Sequence, residues 1–405
     1  MKCNKWTVGL VTAGVVSLGS VALAEETAQH AVNTLLQSTT LSGYISTSVI
    51  WLTGPNGADV VGRSFDGPSK QNGFNLDVVN LTLEKPLDEG QWSAGYKVAT
   101  WLGPDANTLN SISRPLWGTA NNPSDFAIRN AYVDLRAPLG NGLDFKFGVW
   151  DTVIGYETAE SPNNPNYSRS WAFGIEPVQH TGVLASYKFN DIISANAGIA
   201  DRGDVNNVDA KSGNRGVLTY LGSISLTAPE STGWLKGATL SAGIIDSGVT
   251  GNTHAPINPA PTPTTGDKNP QNYYVGATVP LPIKGLSLGA SYDYRTSGVF
   301  DNSYEEAFGG YLAFQATDKL KLNGRVEYAT GSNGGFGGWY PNNAGTLTDN
   351  IKLLGVTGTV DYSLWANAIT RLELRWDDAL NGAHDFVNDS RRNAISLALN
   401  VIYKF

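Results

Sequence analysis

ISLALNVIYKF, residues Ile395 to Phe405, decides the fold. Ile395, Leu397, Leu399, Val401, Tyr403 and Phe405 fall on one face of an extended chain. Ala394, Ser396, Ala398, Asn400 and Lys404 fall on the other, with Ile402 as the exception. Side chains alternate faces with period two in a strand, whereas a helix would scatter both sets around its axis. One face is apolar and aromatic throughout and the other is small and polar. That contrast suits a strand with hydrocarbon on one side and a polar lumen on the other.

The same alternation recurs upstream, interrupted by Gly, Pro, Asn and Asp. It predicts strands over 40–52, 74–85, 91–102, 126–137, 143–152, 180–189, 192–201, 216–228, 236–246, 271–280, 285–296, 305–317, 319–330, 351–362, 366–377 and 393–405, sixteen in all. The thirteenth is the cleanest: Leu320, Leu322, Gly324, Val326 and Tyr328 oppose Lys319, Lys321, Asn323, Arg325 and Glu327. Asp77 and Arg129 land on the apolar parity of their strands, which predicts bulges or rim positions there. The gaps alternate short and long. Pro138–Gly142 and Asn190-Asp191 are short, 103–125 and 153–179 are long, and 229–235 is a medium gap where a short one is due. A soluble β-sandwich has no reason to alternate its loops in this way. The expectation is an all-β, transmembrane antiparallel β-barrel of sixteen strands over 40–405, with short periplasmic turns and long extracellular loops. Eight strands would leave an interior filled by side chains, whereas sixteen leave an aqueous channel.

The beginning of the chain suits export. Lys2 and Lys5 precede the apolar, small-residue run Val8 to Leu23, and Ala22-Leu23-Ala24 supplies an A-x-A cleavage site, so 1–24 reads as a signal peptide. Residues 25–39 read as a short N-terminal periplasmic arm, too small to plug a barrel. The single cysteine, Cys3, leaves with the leader, which excludes disulfides, thiol catalysis and cysteine metal sites. Losing Lys2 and Lys5 takes the formal charge from −8 to about −10, so a nucleic-acid footprint is not expected. No later window is apolar enough for a membrane helix.

The third long gap, 153–179, is dense in charge and aromatics: Glu157, Glu160, Arg169 and Glu176 with Tyr156, Tyr167, Trp171 and Phe173. A loop of this composition has packing and electrostatic roles to fill, and the expectation is that it folds into the lumen; a loop resting on the rim is the alternative. Strand parity places Lys97, Arg325 and Arg371 near mid-height facing inward, with Arg295 and Arg375 higher. Glu157 and Glu160 facing such cations across a narrow lumen would set up a transverse field. Alternatively, Arg371, Glu373, Arg375 and Asp377 pair along the wall and select nothing.

FNLDVVNLTLEKPLDEGQWSAGYKV (74–98), FAIRNAYVDLRAPLGNGLDFKFGVWDTVIGYE (126–157) and NYSRSWAFGIEPVQHTGVLASYKF (166–189) together resemble the OmpL-like β-barrel porins. The resemblance implies a passive outer-membrane porin for small hydrophilic solutes and ions, and brings no catalytic residues and no solute. A substrate-specific channel for sugars or anions, or a surface-anchoring or adhesion barrel, stays open. The expected surroundings are outer-membrane lipid and lipopolysaccharide, a homotrimer by analogy with porins of this size, and the barrel-assembly machinery reading the last strand with its terminal Phe405. Enzyme chemistry, a cofactor and a metal site are not expected. His30, His180, His254 and His384 are scattered, and no zinc, nucleophile-elbow or P-loop motif occurs. His180 with Ser170 or Ser186 is the nearest approach to a catalytic set, and Asp377-Asp378 with Asp385 and Asp389 the nearest to a calcium site.

Overall fold

The computed structural model describes residues 38–52, 65, 70, 72–109, 125–201, 218–247, 270–296, 304–331, 351–380 and 392–405. The leader 1–24, most of the 25–39 arm, and His30, His254, His384, Asp385 and Asp389 lie outside the described residues.

Among the described residues sixteen strands form. They are β1 (Thr40–Leu52), β2 (Gly73–Lys85), β3 (Ser93–Leu102), β4 (Phe126–Ala137), β5 (Leu143–Asp151), β6 (Gln179–Lys188), β7 (Ile193–Ala200) and β8 (Thr219–Thr227). There follow β9 (Thr239–Asp246), β10 (Gln271–Pro280), β11 (Leu286–Thr296), β12 (Tyr304–Gln315), β13 (Leu320–Gly331), β14 (Ile351–Tyr362), β15 (Ala368–Ala379) and β16 (Asn393–Lys404). Each pairs antiparallel with its sequence neighbours, and β16 closes on β1 from Tyr44↔Lys404 to Leu52↔Ser396. Closure leaves no strand edge open to lipid, which a spanning sheet requires. At the seam the Gly43 N–H donates to the Phe405 carbonyl and the Phe405 N–H to the Gly43 carbonyl, both at 3.0 Å. A Cβ on Gly43 would meet the Asn80 carbonyl oxygen at 2.1 Å and the Phe405 ring at 2.8 Å, so glycine makes room for the terminal aromatic.

Burial is inverted relative to a soluble sheet. On β15, Leu372 and Leu374 are 49% and 55% exposed, whereas Arg371, Glu373 and Arg375 are 2%, 2% and 0% exposed. Apolar side chains therefore face outward and charged ones inward, as a lipid-embedded wall demands. Exposed Trp92, Trp234, Trp365 and Tyr403 cluster at the end with the short connections, and Trp51, Phe74 and Phe126 at the other, giving aromatic belts at both rims.

Both phase-breaking residues sit at bulges. Ser46 pairs with Val78 and Thr47 with Leu76, so Asp77 is the extra residue of β2; Ala99 pairs with Asn130 and Thr100 with Ile128, so Arg129 is the extra residue of β4. Each bulge turns two successive side chains inward, and Asp77, Val78, Arg129 and Asn130 are all buried. The medium-length gap has a local cause. Between β8 and β9 the chain makes a 3₁₀ segment, Glu230–Leu235, with Gly233 at φ 65°, and Ala228 exchanges backbone bonds with Gly237 and Ala238. Helical structure also includes α1 (Pro104–Leu109), between β3 and β4.

Candidate functional site

The connection from β5 to β6, residues 152–178, is pinned at its roots. The Thr152 N–H donates to the Val178 carbonyl at 3.1 Å, and His180 Nε2 meets Thr152 Oγ1 at 3.1 Å. Buried His180, packed against Trp150, thus fastens the loop base. Gly155, at φ 108°, lets the outgoing limb pass the returning one: a Cβ there would lie 2.3 Å from Glu176 Oε2.

The loop's partners are inward-facing wall residues. Ile154 lies over Gly243 of β9 and Tyr156 over Gly289 of β11, where an added Cβ would come within 2.6 Å and 1.8 Å of them. Tyr156 stacks on Tyr311 at 4.1 Å and shares a hydrogen bond with Thr278 at 3.0 Å. Burial raises its hydroxyl pKa.

Charged wall residues then satisfy an irregular backbone that no sheet pairs. The Glu373 carboxylate accepts the N–H groups of Tyr167 and Ser168 at 2.6 and 3.0 Å, and Glu327 accepts that of Trp171 at 2.6 Å. Arg371 donates to the Ser161 and Asn164 carbonyls, both at 2.8 Å. Arg325 donates to the Ser168 carbonyl at 2.8 Å and pairs with Glu157 at 2.8 Å, while the other Glu157 oxygen accepts the Ser170 N–H at 2.8 Å. Arg375 donates to the Arg169 carbonyl and pairs with Glu327 at 3.1 Å and Asp377 at 2.9 Å. Trp171 Nε1 donates to Asp377 at 3.0 Å. Bonds to ionised partners are roughly twice as strong as neutral ones, so β13 to β15 act as a charged template for the loop.

Every charged residue expected at the site is accounted for. Glu157 with Arg325 is a direct, buried pair. Arg371 and Arg375 are brought onto the loop backbone and are also paired along the wall, Arg371 with Asp361 at 2.9 Å. Glu160 meets a different cation, Arg129 at the β4 bulge, at 2.9 Å; Arg129 also pairs with Asp151. Arg169 turns back on its own loop and donates to the carbonyls of Thr158, Tyr167 and Ala159. Glu176 lies beside Asp293 and Glu157, and burial followed by those like charges pushes its carboxyl well above the usual range. Lys97 and Arg295 are not brought to the loop: Lys97 faces Glu84 at 4.0 Å and Arg295 pairs with Glu305.

A second cluster of buried charges lies on the other side of the loop's Tyr167. Lys70, from the β1–β2 connection, pairs with Asp105 of α1 at 2.8 Å and with bulge residue Asp77 at 3.4 Å. Asp77 also accepts from Ser46, Ser48 and the Tyr167 hydroxyl. Phe65 packs between Trp101 and Phe173. Burial, opposed by Lys70, raises the Asp105 carboxyl to about 6. The phase break at Asp77 was the one signal of this cluster available in the sequence. Asp377 and Asp378, read as calcium-site candidates, are engaged by Arg375 and Arg392, both at 2.9 Å.

Between the loop and the inward faces of β4 to β10 there remains an open space of about 420 Å³. Tyr132, Lys146, Ser186, Asn196, Ser223 and Ser225 border it on the wall, and Glu160 and Glu176 on the loop.

The fold matches solved porins at low identity. OprB of Pseudomonas putida, at high pH, is 14% identical over 92% of this chain and 96% of its own, with a TM-score of 0.60. The trimer form of OmpT of Vibrio cholerae is 14% identical over 91% and 99%, with a TM-score of 0.55. An anion-selective porin from Comamonas acidovorans is 11% identical over 91% and 99%, with a TM-score of 0.53. No curated protein sequence matches. A family model, "Putative beta-barrel porin-2, OmpL-like", matches residues 38–405, essentially the whole barrel, and the chain belongs to that family of porins.

Proposed function

We propose that this barrel is a passive outer-membrane porin in which the 152–178 loop narrows the lumen and sets the size cut-off. The observation that carries this reading is the open space of about 420 Å³ between the loop and the β4–β10 wall, inside a closed ring of sixteen strands. Glu160 and Arg129 at its edge, with Glu176 and Lys146, form the constriction. Arg325, Arg371 and Arg375 hold the loop in place from beneath. The chain is exported through a cleaved leader, inserts among outer-membrane lipid and lipopolysaccharide with its long connections outside, and assembles as a homotrimer, as the trimer form of V. cholerae OmpT does.

Liposome swelling with neutral sugars of graded size tests the reading. Influx falling smoothly with solute size supports a general porin. Influx of one sugar alone would replace it with a specific channel, and no influx at all with an anchoring barrel.

A further inference from the structure

The inward face of this barrel is divided by charge. On β13 to β15 the inward positions include Arg325, Glu327, Asp361, Arg371, Glu373 and Arg375, and the loop and neighbouring pairs occupy them. On the opposite side, among the described residues, no inward position from Ser194 of β7 to Thr278 of β10 is charged. The loop reaches that side through Ile154 at Gly243 and Tyr156 at Thr278, and the rest of it borders the opening, with polar groups running across it. Ser186 donates to Asn196 at 2.7 Å, Asn196 donates to Ser223 at 3.0 Å, and Ser225 shares a hydrogen bond with Ser241 at 2.8 Å. These pairs are in cross-strand register from β6 to β9.

The charges that do border the opening are engaged by the protein itself. Arg129 sits between Asp151 and Glu160, Glu157 is paired with Arg325, and the Lys146 ammonium lies over the Tyr132 ring at 4.8 Å, across the strand pair from Asp134. Burial holds the Glu176 carboxyl toward its neutral form.

We infer that the passage favours neutral, hydrogen-bonding solutes over ions of the same size, and that the hydroxyl and amide row on β6 to β9 is the surface they move along. The inference rests on the channel reading above and names its solute class. An ion entering a narrow space loses hydration and here meets charges already engaged by protein partners, so its entry is penalised. A polyol exchanges its water hydrogen bonds for those of the row at little net cost.

Three six-carbon probes of one size test this in liposomes carrying the full barrel: glucose, gluconate and glucosamine. Glucose influx should exceed that of both charged probes, and the reversal potential in a potassium chloride gradient should lie near zero. Gluconate or glucosamine entering as fast as glucose would overturn the inference. No swelling with any probe and no chloride or potassium conductance would instead overturn the channel reading itself. Ser223→Ala with Ser225→Ala should cut the glucose advantage by about three- to tenfold, the worth of one or two hydrogen bonds. Ser223→Asp should bring glucosamine ahead of gluconate by about tenfold, as a lone carboxylate concentrates cations.

Discussion

Replacing Arg325 with Met should release the 152–178 loop, and the structure sets the size of the effect. The Arg325 side chain is fully buried. It pairs with Glu157 at 2.8 Å and Glu327 at 3.2 Å, and donates to the Ser168 carbonyl at 2.8 Å and the Thr357 hydroxyl at 3.2 Å. Glu327 keeps Arg375 at 3.1 Å when Arg325 is lost, whereas Glu157 loses its ion-pair partner and stays buried. Breaking one side of a buried pair costs about 3–5 kcal/mol. At about 1.4 kcal/mol per decade, the lower figure alone raises the undocked population about 100-fold. Arg169 reports it: it is the sole Lys or Arg between Thr152 and Val178, and it is buried in the docked loop. Trypsin cleavage after Arg169 follows the undocked population when closing is faster than cutting. The variant, folded by gel mobility, should be nicked there roughly 100-fold faster than the parent. Arg325→Met with Glu157→Gln removes the orphaned charge and should be cut more slowly than Arg325→Met alone. Equal cleavage of parent and Arg325→Met, or a double variant cut faster than the single, would refute the clamp.

Two further expectations concern charge. Glu160→Gln leaves Arg129 with Asp151 alone beside the opening, so the reversal potential should shift toward anions. Glu160 is partly solvated, which limits the change in permeability ratio to a factor of about five. Asp105 tests the second cluster through pH. Its carboxyl is raised from 3.8 to about 6 by burial, so the folded state holds this proton more tightly than the unfolded chain. Its contribution to stability is therefore greatest below about pH 4, declines as pH climbs to about 6, and is constant above. Asp105→Asn removes that dependence. Measured by thermal unfolding in detergent, the variant should gain on the parent between pH 4 and pH 7 by an amount on the order of 3 kcal/mol; a difference constant with pH would exclude Asp105 as its source.

The barrel was legible because a lipid-facing wall leaves its period in the sequence. On β13, Leu320, Leu322 and Val326 oppose Lys321, Asn323 and Arg325, and no other arrangement satisfies both solvents. Even the two bulges showed, since an extra residue shifts the parity and leaves a charged side chain, Asp77 or Arg129, on the wrong face. Strand ends were less clear. Backbone bonds outside the ladder set them: the Ala379 N–H donates to the Arg392 carbonyl and carries β15 two residues past its expected end. Parity placed Arg325, Arg371 and Arg375 facing inward, but did not give the loop groups that most of them would meet, nor the cation that Glu160 would meet. They depend on which strands the chain passes over after Gly155, a matter of three-dimensional path rather than period. Inward glycines were the signal available, because Gly243 and Gly289 sit where Ile154 and Tyr156 need space.

Facing inward and facing the solute are different conditions, and alternation specifies only the first. Arg325 and Ser223 have the same parity, yet one lies under the loop and the other beside the opening. The separation has a physical reason. A loop without regular structure brings many unpaired N–H and C=O groups into the barrel, and each must find a partner. Carboxylates and guanidiniums satisfy them most strongly, so the loop settles where the wall is charged, at Glu327, Glu373, Arg371 and Arg375. The serine and asparagine row on β6 to β9 carries no charge to hold the loop backbone, so the loop touches that wall through Ile154 at Gly243 and the row borders the opening. The charge pattern that suggests an ion-selective pore is thereby consumed in building the constriction, and the solute meets the part of the wall that the loop did not need.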